Sequence, residues 1–553
     1  MDKESSTLQD MLKNSFSTYK DEPAIGFVNS VDLTYGQLKE VVEQQIFRLA
    51  KRGIVPGDRV AIVGANSVNW VISYFSVLSM GAVAVPVLPD FTQEEISNII
   101  LHSGARLIFV SERLHNKIND ESRKKVDGLI LIDNLGDIPE KSTNADLKSI
   151  EDYKAIGSLS IDHFEVKPED LASIIYTSGT TGNSKGVMLT HKNLSTNIDQ
   201  CAAVEPLDKG EVFLSIMPLS HTLENTVGLL LPVSFGALIK YLDRPPTASV
   251  LIPALKKVKP TYLLSVPMVI EKIFKVQVRA KFNKSAIIKR LYRLPLIRKV
   301  LHRMAGKKLY ETFGGRMKFF GIGGAKLDAS TERFLVEAKF PYAIGYGLTE
   351  TSPFAAGDGV KFTRFQSTGR PVKNLELKIH EPDPETGQGE IWVRGGNIMK
   401  GYYKEPELTA KVLSEDGWFR TGDLGFLDKE NYLYIKGRLK NVIVGSSGEN
   451  IYPEEIETVI NRFQHVLESV VVERKGKLVA LVHFNYEELE LQFRHLKEEA
   501  IKHIEDKKEE LLIELRDFVN AQVNKFSKIQ LVVAQADPFE KTATKKIKRY
   551  LYS

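Results

Sequence analysis

A chain of 553 residues is longer than one hydrophobic core ordinarily supports, so two to four packed units are expected. Its 75 Lys and Arg against 70 Asp and Glu leave a net charge of only +5, which argues against nucleic-acid binding by bulk charge. Cys201 is the single cysteine, which excludes an intrachain disulfide and a cysteine-built zinc site and fits a reducing cytoplasm.

The N-terminal stretch MDKESSTLQDMLKNSF is polar and has no signal-peptide apolar region. Short apolar runs then alternate with helical patterns. Arg59 to Gly64 reads as a buried strand, Asn69 to Ser79 as a helix and Ala82 to Val87 as the next strand. Arg106 to Val110, Gly128 to Ile132 and Leu171 to Tyr176 continue the series, which predicts parallel α/β layers. Val227 to Ile239 is the longest apolar run, but Pro232, Ser234 and two glycines interrupt it, and it is too short to span a bilayer. A soluble cytoplasmic protein, or one peripheral to a membrane, is expected.

After about residue 365 the pattern changes. Leu375 to His380, Glu390 to Arg394 and Asn431 to Lys436 read as strands between Gly, Pro and Asp turns, so a β-rich subdomain is expected over about 365–437. The main boundary is placed at Gly437–Lys440. That gives a large α/β domain over 1–437 and a small α+β domain over 438–553, with a long charged helical stretch from Glu487 to Phe526.

Between Lys272 and Lys308 there is no Asp or Glu, while Lys and Arg recur among apolar residues at near-helical spacing. Two readings stand here: a solvated pair of surface helices, or a patch for anionic lipid headgroups or a phosphorylated carrier.

The strand ending at Tyr176 runs into Thr177, Ser178, Gly179, Thr180, Thr181, Gly182, Asn183, Ser184 and Lys185. Glycines let backbone N–H groups approach an anion, the hydroxyls add donors, and the lysine adds a point charge. The expectation is a polyphosphate cradle, although the spacing is not that of a Walker A loop. The plain alternative is a Ser/Thr/Gly linker.

TSGTTGNSKG resembles the signature loop of the AMP-forming adenylating enzymes, which include acyl-CoA synthetases, peptide-synthetase adenylation domains and luciferases. Further segments in the same order resemble that family over nearly the whole chain. Gly323, Gly324 and Ala325, followed by Tyr346, Gly347, Leu348, Thr349 and Glu350, resemble its adenine-pocket segments. The resemblance implies Thr349 on the α-phosphate and Glu350 on Mg²⁺, a hard cation that prefers carboxylate and phosphate oxygens. Taken alone, Thr-Glu would more often start a helix. Thr421-Gly422-Asp423 resembles the motif whose aspartate accepts the ribose hydroxyls, and a β-turn is the plain alternative. Gly437-Arg438-Leu439-Lys440 resembles the hinge motif, with Arg438 on ribose or phosphate and Lys440 as the pivot. The stretch with Ser447, Gly448 and Glu449 resembles the loop of the thioester-forming step. TATKKIKR resembles the catalytic-lysine motif and puts Lys546 in the catalytic place, with Lys545 as the neighbouring candidate.

His221, in MPLSHTLE, resembles the histidine that closes the acyl pocket. This form of the segment, the Lys pivot and the basic stretch resemble the long-chain fatty acyl-CoA synthetases. The resemblance implies ATP, Mg²⁺, a fatty acid, and coenzyme A or an acyl carrier protein as acceptor. A ligase that stops at acyl-AMP and a non-catalytic lipid-binding scaffold are the competing classes. Leu229 to Leu231, Leu263, Leu264 and Val266 to Met268 read either as an apolar tunnel or as ordinary core.

Overall fold

The computed structural model describes residues 6–137, 157–177, 184–279, 290–445, 449–486, 500–542 and 546–552, without the side chains of 276, 277, 279 and 500–508. Two eight-stranded sheets dominate it. In one, Arg59–Val63, Val83–Val87, Leu107–Val110, Gly128–Leu131 and Leu171–Thr177 run parallel. Val83–Val87 and Leu107–Val110 are buried at every position, which is why they read as continuous apolar runs rather than alternating ones. In the other, Pro23–Phe27, Leu238–Tyr241, Val212–Ser215, Tyr262–Ser265, Phe319–Ile322 and Tyr342–Gly347 lie parallel in that spatial order.

The main core lies around these sheets. The helix Val68–Ser79 sits in it with Trp70, Tyr74 and Phe75 fully buried. It is apolar nearly all round because both of its faces meet protein. Each such aliphatic or aromatic side chain contributes about 1.5–3 kcal/mol through burial. A polar bracket crosses this core. Tyr74 donates to Asn225 Oδ1 at 2.9 Å and lies 3.2 Å from Ser173 Oγ. Asn66 donates to Ser215 Oγ (2.9 Å) and the Met217 carbonyl (2.6 Å) and accepts from the Leu219 N–H (2.8 Å). These bonds pin the segment 215–225, which carries His221.

Leu375–His380, Gly389–Gly395, Phe419–Leu427 and Leu433–Arg438 form a four-stranded antiparallel sheet. The last strand begins two residues later than the sequence suggests. Asn431 is left-handed at φ 63° and closes a turn on Asp428, so it cannot be extended. Farther on, Val466–Arg474, Lys477–Phe484 and Leu531–Gln535 make a three-stranded sheet with its own apolar cluster, which includes Ile456 and Ile460 of the helix Pro453–Ile460. The charged stretch after 487 is helical over Ala500–Asn520, and its first part, 487–499, lies outside the described residues. Arg462 meets Asp328 at 2.6 Å, and Lys275 donates to the Val466 carbonyl at 2.7 Å, so this unit touches the layered body.

The run Val227 to Ile239 is divided between the helical turns Thr226–Leu230 and Leu231–Ser234 and the strand Leu238–Tyr241. No helix among the described residues is long and apolar enough to cross a membrane. Leu229, Leu230 and Leu231 are packed in the main core and Met268 is 56% exposed, so these positions do not line a common tunnel. Two helices absent from the sequence reading, Leu8–Thr18 and Tyr35–Lys51, each start with a capping box, Thr7 with Asp10 and Thr34 with Gln37.

Candidate active site

The strands Leu171–Thr177 and Lys185–Thr190 form an antiparallel hairpin with Thr177 opposite Lys185. The Gly/Ser/Thr segment is therefore the connection of a hairpin. Of the expected cradle, Thr177 and Lys185 are described, whereas Ser178, Gly179, Thr180, Thr181 and Gly182 lie outside the described residues. The hairpin base is braced by Tyr176, whose hydroxyl lies 2.8 Å from His102 Nδ1, and His102 meets Tyr403 edge-on.

Lys185 stands over the Tyr402 ring at 5.3 Å. Tyr402 donates to Glu350 Oε1 at 2.8 Å, and the Met399 N–H reaches the Glu350 carbonyl at 2.9 Å. One tyrosine thus ties the lysine of the hairpin to the carboxylate of the YGLTE segment. Burial, then Lys440, lowers the Lys185 ammonium pKa, while Glu350 and Glu405 pull it back. Thr349 and Glu350 open the short turn Thr349–Thr351 directly after the strand Tyr342–Gly347. Gly347 is required there, since a Cβ would stand 1.7 Å from the Pro353 carbonyl oxygen. Among the described residues no group of three or more His, Cys, Asp or Glu is arranged to hold a metal. A single carboxylate such as Glu350 nonetheless fits Mg²⁺, which takes most of its ligands from phosphate and water.

Thr421-Gly422-Asp423 is part of the strand Phe419–Leu427 rather than a β-turn. Gly422 is left-handed at φ 69° and turns its N–H to Glu390 Oε1 at 3.0 Å, a kink that brings Asp423 opposite Arg438. Asp423 is 4% exposed. One of its oxygens accepts from Tyr346 at 2.7 Å, and the other meets Arg438 Nε at 2.8 Å. Burial raises the Asp423 pKa against the opposing pull of Arg438, the Tyr346 hydroxyl and Lys546. Gly323 is buried, while Gly324 and Ala325 are exposed beyond the strand Phe319–Ile322. A Cβ on Gly323 would come 3.1 Å from Leu223, so the glycine segment packs directly on the His221 segment.

His221 caps the short helix Thr222–Asn225, with its Nδ1 accepting the Leu223 N–H at 3.2 Å. That leaves Nε2 to carry the proton of the neutral ring. Burial, then the Lys546 cation, lowers its pKa to about 4, so the ring is neutral at pH 7. Three residues on, Glu224 is 2% exposed and accepts from Ser215 at 2.6 Å, and a Cβ on Gly228 would stand 2.7 Å from its carboxyl carbon. The Tyr241 hydroxyl also lies within its electrostatic reach.

Burial raises the Glu224 pKa from 4.5 to about 8, so the group holds its proton at neutral pH. Between those values the folded state keeps a proton that the unfolded chain releases. Stability is therefore lost as pH rises through about 5 to 8. Glu224→Gln removes this titration, and its stability relative to the parent is expected to increase by on the order of a few kcal/mol from about pH 5 to about pH 8. Urea denaturation at the two pH values checks this, and an unchanged difference would refute it.

Lys440 is exposed on the turn Leu439–Asn441. Ser447, Gly448 and Lys545 lie outside the described residues, and the Glu449 carbonyl accepts the Gly445 N–H at 2.8 Å. The basic C-terminal cluster is sorted by its partners. Lys541 pairs with Glu468, and Lys548 lies 4.0 Å from Glu540. Lys546 is exposed by surface area, and desolvation of its ammonium, then Arg438, lowers its pKa against Asp423 and Glu350. Lys546 thus shares one electrostatic neighbourhood with His221, Glu350, Asp423 and Arg438.

Residues 12–403 match the AMP-binding enzyme family. The chain belongs to that family. A long-chain-fatty-acid–CoA ligase of Mycobacterium tuberculosis is 30% identical over 471 residues, covering 80% of this chain and 75% of the relative. A chloroplastic long-chain-fatty-acid–[acyl-carrier-protein] ligase of Arabidopsis thaliana is 29% identical, covering 85% and 75%. The fold is shared with the anthranilate CoA ligase AuaEII in complex with anthranoyl-AMP, at TM-score 0.79 and 19% identity over 99% of this chain and 96% of the other. The family match ends at Tyr403, before Asp423, Arg438, Lys440 and Lys546, so for those residues the geometry carries the argument. Sequence reasoning missed Tyr402, the link between Lys185 and Glu350. Its segment, MKGYYKEPE, has no spacing that marks it, and only the pairing of Gly401–Tyr402 with Val187 and Met188 brings it to the hairpin.

Proposed function

We propose that the chain is an AMP-forming acid–thiol ligase that activates a long-chain fatty acid with ATP and transfers the acyl group to coenzyme A. The observation that carries this reading is that Lys185, Glu350, Asp423, Arg438 and Lys546 lie in one electrostatic neighbourhood beside a neutral histidine. A polyphosphate, a diol and a carboxylate each find the chemistry they need there. The names of the relatives support the acyl substrate and the thiol acceptor.

In the first step a carboxylate oxygen attacks the α-phosphorus, the acyl–phosphate bond forms, and pyrophosphate leaves with the electron pair of the broken anhydride. The protein supplies position and charge rather than a nucleophile. Thr177 to Gly182 and Lys185 hold the β- and γ-phosphates. Gly323, Gly324, Ala325, Tyr346 and Gly347 border the adenine, Thr349 meets the α-phosphate, and Asp423 with Arg438 holds the ribose. Lys546 neutralises charge between the carboxylate and the α-phosphate, and His221 offers its Nε2–H on the acyl side. Glu350 would hold Mg²⁺, which supplies charge neutralisation on the phosphates. In the second step, residues 438–553 rotate about Lys440 and bring Ser447, Gly448 and Glu449 to the cleft. A thiol sulfur then attacks the acyl carbonyl, loses its proton, and AMP departs.

The similarity to an acyl-carrier-protein ligase favours a second acceptor, the thiol of an acyl carrier protein. The reading also includes cytoplasmic operation with peripheral contact, to a membrane or to that carrier, through Lys272–Lys308. The test is to incubate the protein with ATP, Mg²⁺ and palmitate, supply coenzyme A or carrier protein, and identify the thioester. Palmitoyl-CoA is the expected product. ATP–pyrophosphate exchange without it would reject coenzyme A as acceptor.

A further inference from the structure

The acid-free segment Lys272–Lys308 covers all but the last four residues of the helix Pro295–Thr312, whose two sides differ sharply. Its inner side is firmly seated on the helix Ala329–Ala338. Arg298 makes a two-pronged contact with Glu337, at 2.7 Å through its terminal nitrogen and 3.1 Å through Nε. His302 lies 2.7 Å from the same carboxylate and from the Tyr292 hydroxyl. Gly306 allows an approach so close that a Cβ there would stand 2.5 Å from the Ala338 Cβ. The helix is therefore fixed in rotation, and what it shows outward is set by this packing.

Outward it shows large apolar side chains. Leu296 is 79% exposed, Val300 57% and Met304 66%, a stripe at spacing four, and the preceding turn adds Leu291 and Leu294. Among the described residues, five of the nineteen exposed large apolar side chains fall within these fourteen positions, which makes the stripe a patch rather than scattered exposure. Lys299, Arg303 and Lys307 are exposed along one flank of the stripe, and Arg290 and Arg293 are exposed before it. Glu311, at the far end, is the only exposed acid on the helix.

Resting on the fatty-acid reading above, we propose that the outer face of the helix Pro295–Thr312 docks the protein on an anionic lipid bilayer, lying in the headgroup plane with Leu296, Val300 and Met304 inserted. A bilayer interface accepts both features at once, apolar side chains below the headgroups and cations among them. An acidic soluble partner would account for Lys299, Arg303 and Lys307 but leaves the stripe without a use. The helix is about 27 Å long at 1.5 Å per residue, and with its cations it suits lying on a membrane rather than crossing it. It is joined to the cleft through the helix Pro267–Ile273, which starts beside Gly324 at Val266 and leads to Phe274, stacked edge-on against His302. A long-chain acid partitioned in the bilayer would thus meet the enzyme one helix away from its site.

The experiment uses the full chain and vesicles of phosphatidylcholine alone or in equal mixture with phosphatidylglycerol. Co-sedimentation of the parent with the mixed vesicles is expected. The triple variant Leu296→Ser, Val300→Ser, Met304→Ser should lose binding to the mixed vesicles. Lys299→Gln, Arg303→Gln, Lys307→Gln should lose about a hundredfold in affinity for the mixed vesicles alone. Both should keep the parent's ATP–pyrophosphate exchange with a dissolved medium-chain acid, which shows that they fold. Equal sedimentation of parent and variants overturns the proposal. So does binding to acyl carrier protein without vesicle binding, or a dimer of this chain that the apolar triple dissociates. Because exchange is read without vesicles, its absence in the parent would sink the ligase reading, while sedimentation still decides the docking face.

Discussion

Lys546→Ala is expected to slow acyl-adenylate formation by about 10²–10³-fold while leaving thioester formation from supplied acyl-AMP within a few-fold of the parent. The asymmetry follows from where the ammonium sits. Its electrostatic neighbours are Asp423, Glu350, Arg438 and His221, whereas Lys541 and Lys548 are engaged with Glu468 and Glu540. A preorganised cation matters most where negative charge accumulates in a partly desolvated site, and attack on the α-phosphorus accumulates it. On the proposed rotation of residues 438–553, the unit bearing Lys546 turns away before the thioester step, which would then need no such charge. ATP–pyrophosphate exchange reads the first half, and release of AMP from synthetic acyl-AMP with coenzyme A reads the second. Loss of both halves would point to damaged folding, and retention of both would remove Lys546 from the reaction.

The parallel strands were legible because burial on both faces leaves an unbroken apolar run, as in Val83–Val87. The segments carrying Lys185, Glu350, Asp423 and Arg438 could be singled out as candidates because phosphate, diol and carboxylate recognition each use a narrow choice of residues. What local sequence could not supply was partnership across the fold. Thr421-Gly422-Asp423 satisfies a β-turn as well as it satisfies a kinked strand, and only pairing with Arg438 decides between them. Tyr402 bears on the site solely through a two-residue strand that pairs with residues over two hundred positions earlier. Leu229 to Leu231 would line a tunnel or fill a core with the same side chains, and the surrounding helices made them core. The acid-free segment left two readings open for the same reason. Its charge could be counted, but the apolar stripe became visible only when Glu337 and Ala338 fixed which side of the helix faces inward.

Asp423→Ala should have the second large effect, and its signature is a loss of discrimination as well as a loss of rate. The parent carboxylate is almost fully buried, with Tyr346 on one oxygen and Arg438 on the other. If it also receives the two ribose hydroxyls, 2′,3′-dideoxy-ATP should be used about 10²-fold less well than ATP or worse, since hydrogen bonds to a charged group are worth about 1.5–3 kcal/mol each. Asp423→Ala should lower kcat/KM for ATP by a similar factor and bring the two nucleotides to near equality. A merely structural aspartate would behave differently. Removing it would leave the Tyr346 hydroxyl and the half-exposed Arg438 cation without their partner, costing about 1–3 kcal/mol of stability, yet it would slow both nucleotides alike and leave their ratio unchanged. Asp423→Asn separates these effects further. The amide oxygen can still accept from Tyr346, so most of the packing is retained, while the counter-charge of Arg438 is lost. The ratio of ATP to dideoxy-ATP in Asp423→Asn should therefore fall between those of the parent and the alanine variant, and a ratio equal to the parent's in both variants would remove Asp423 from ribose recognition.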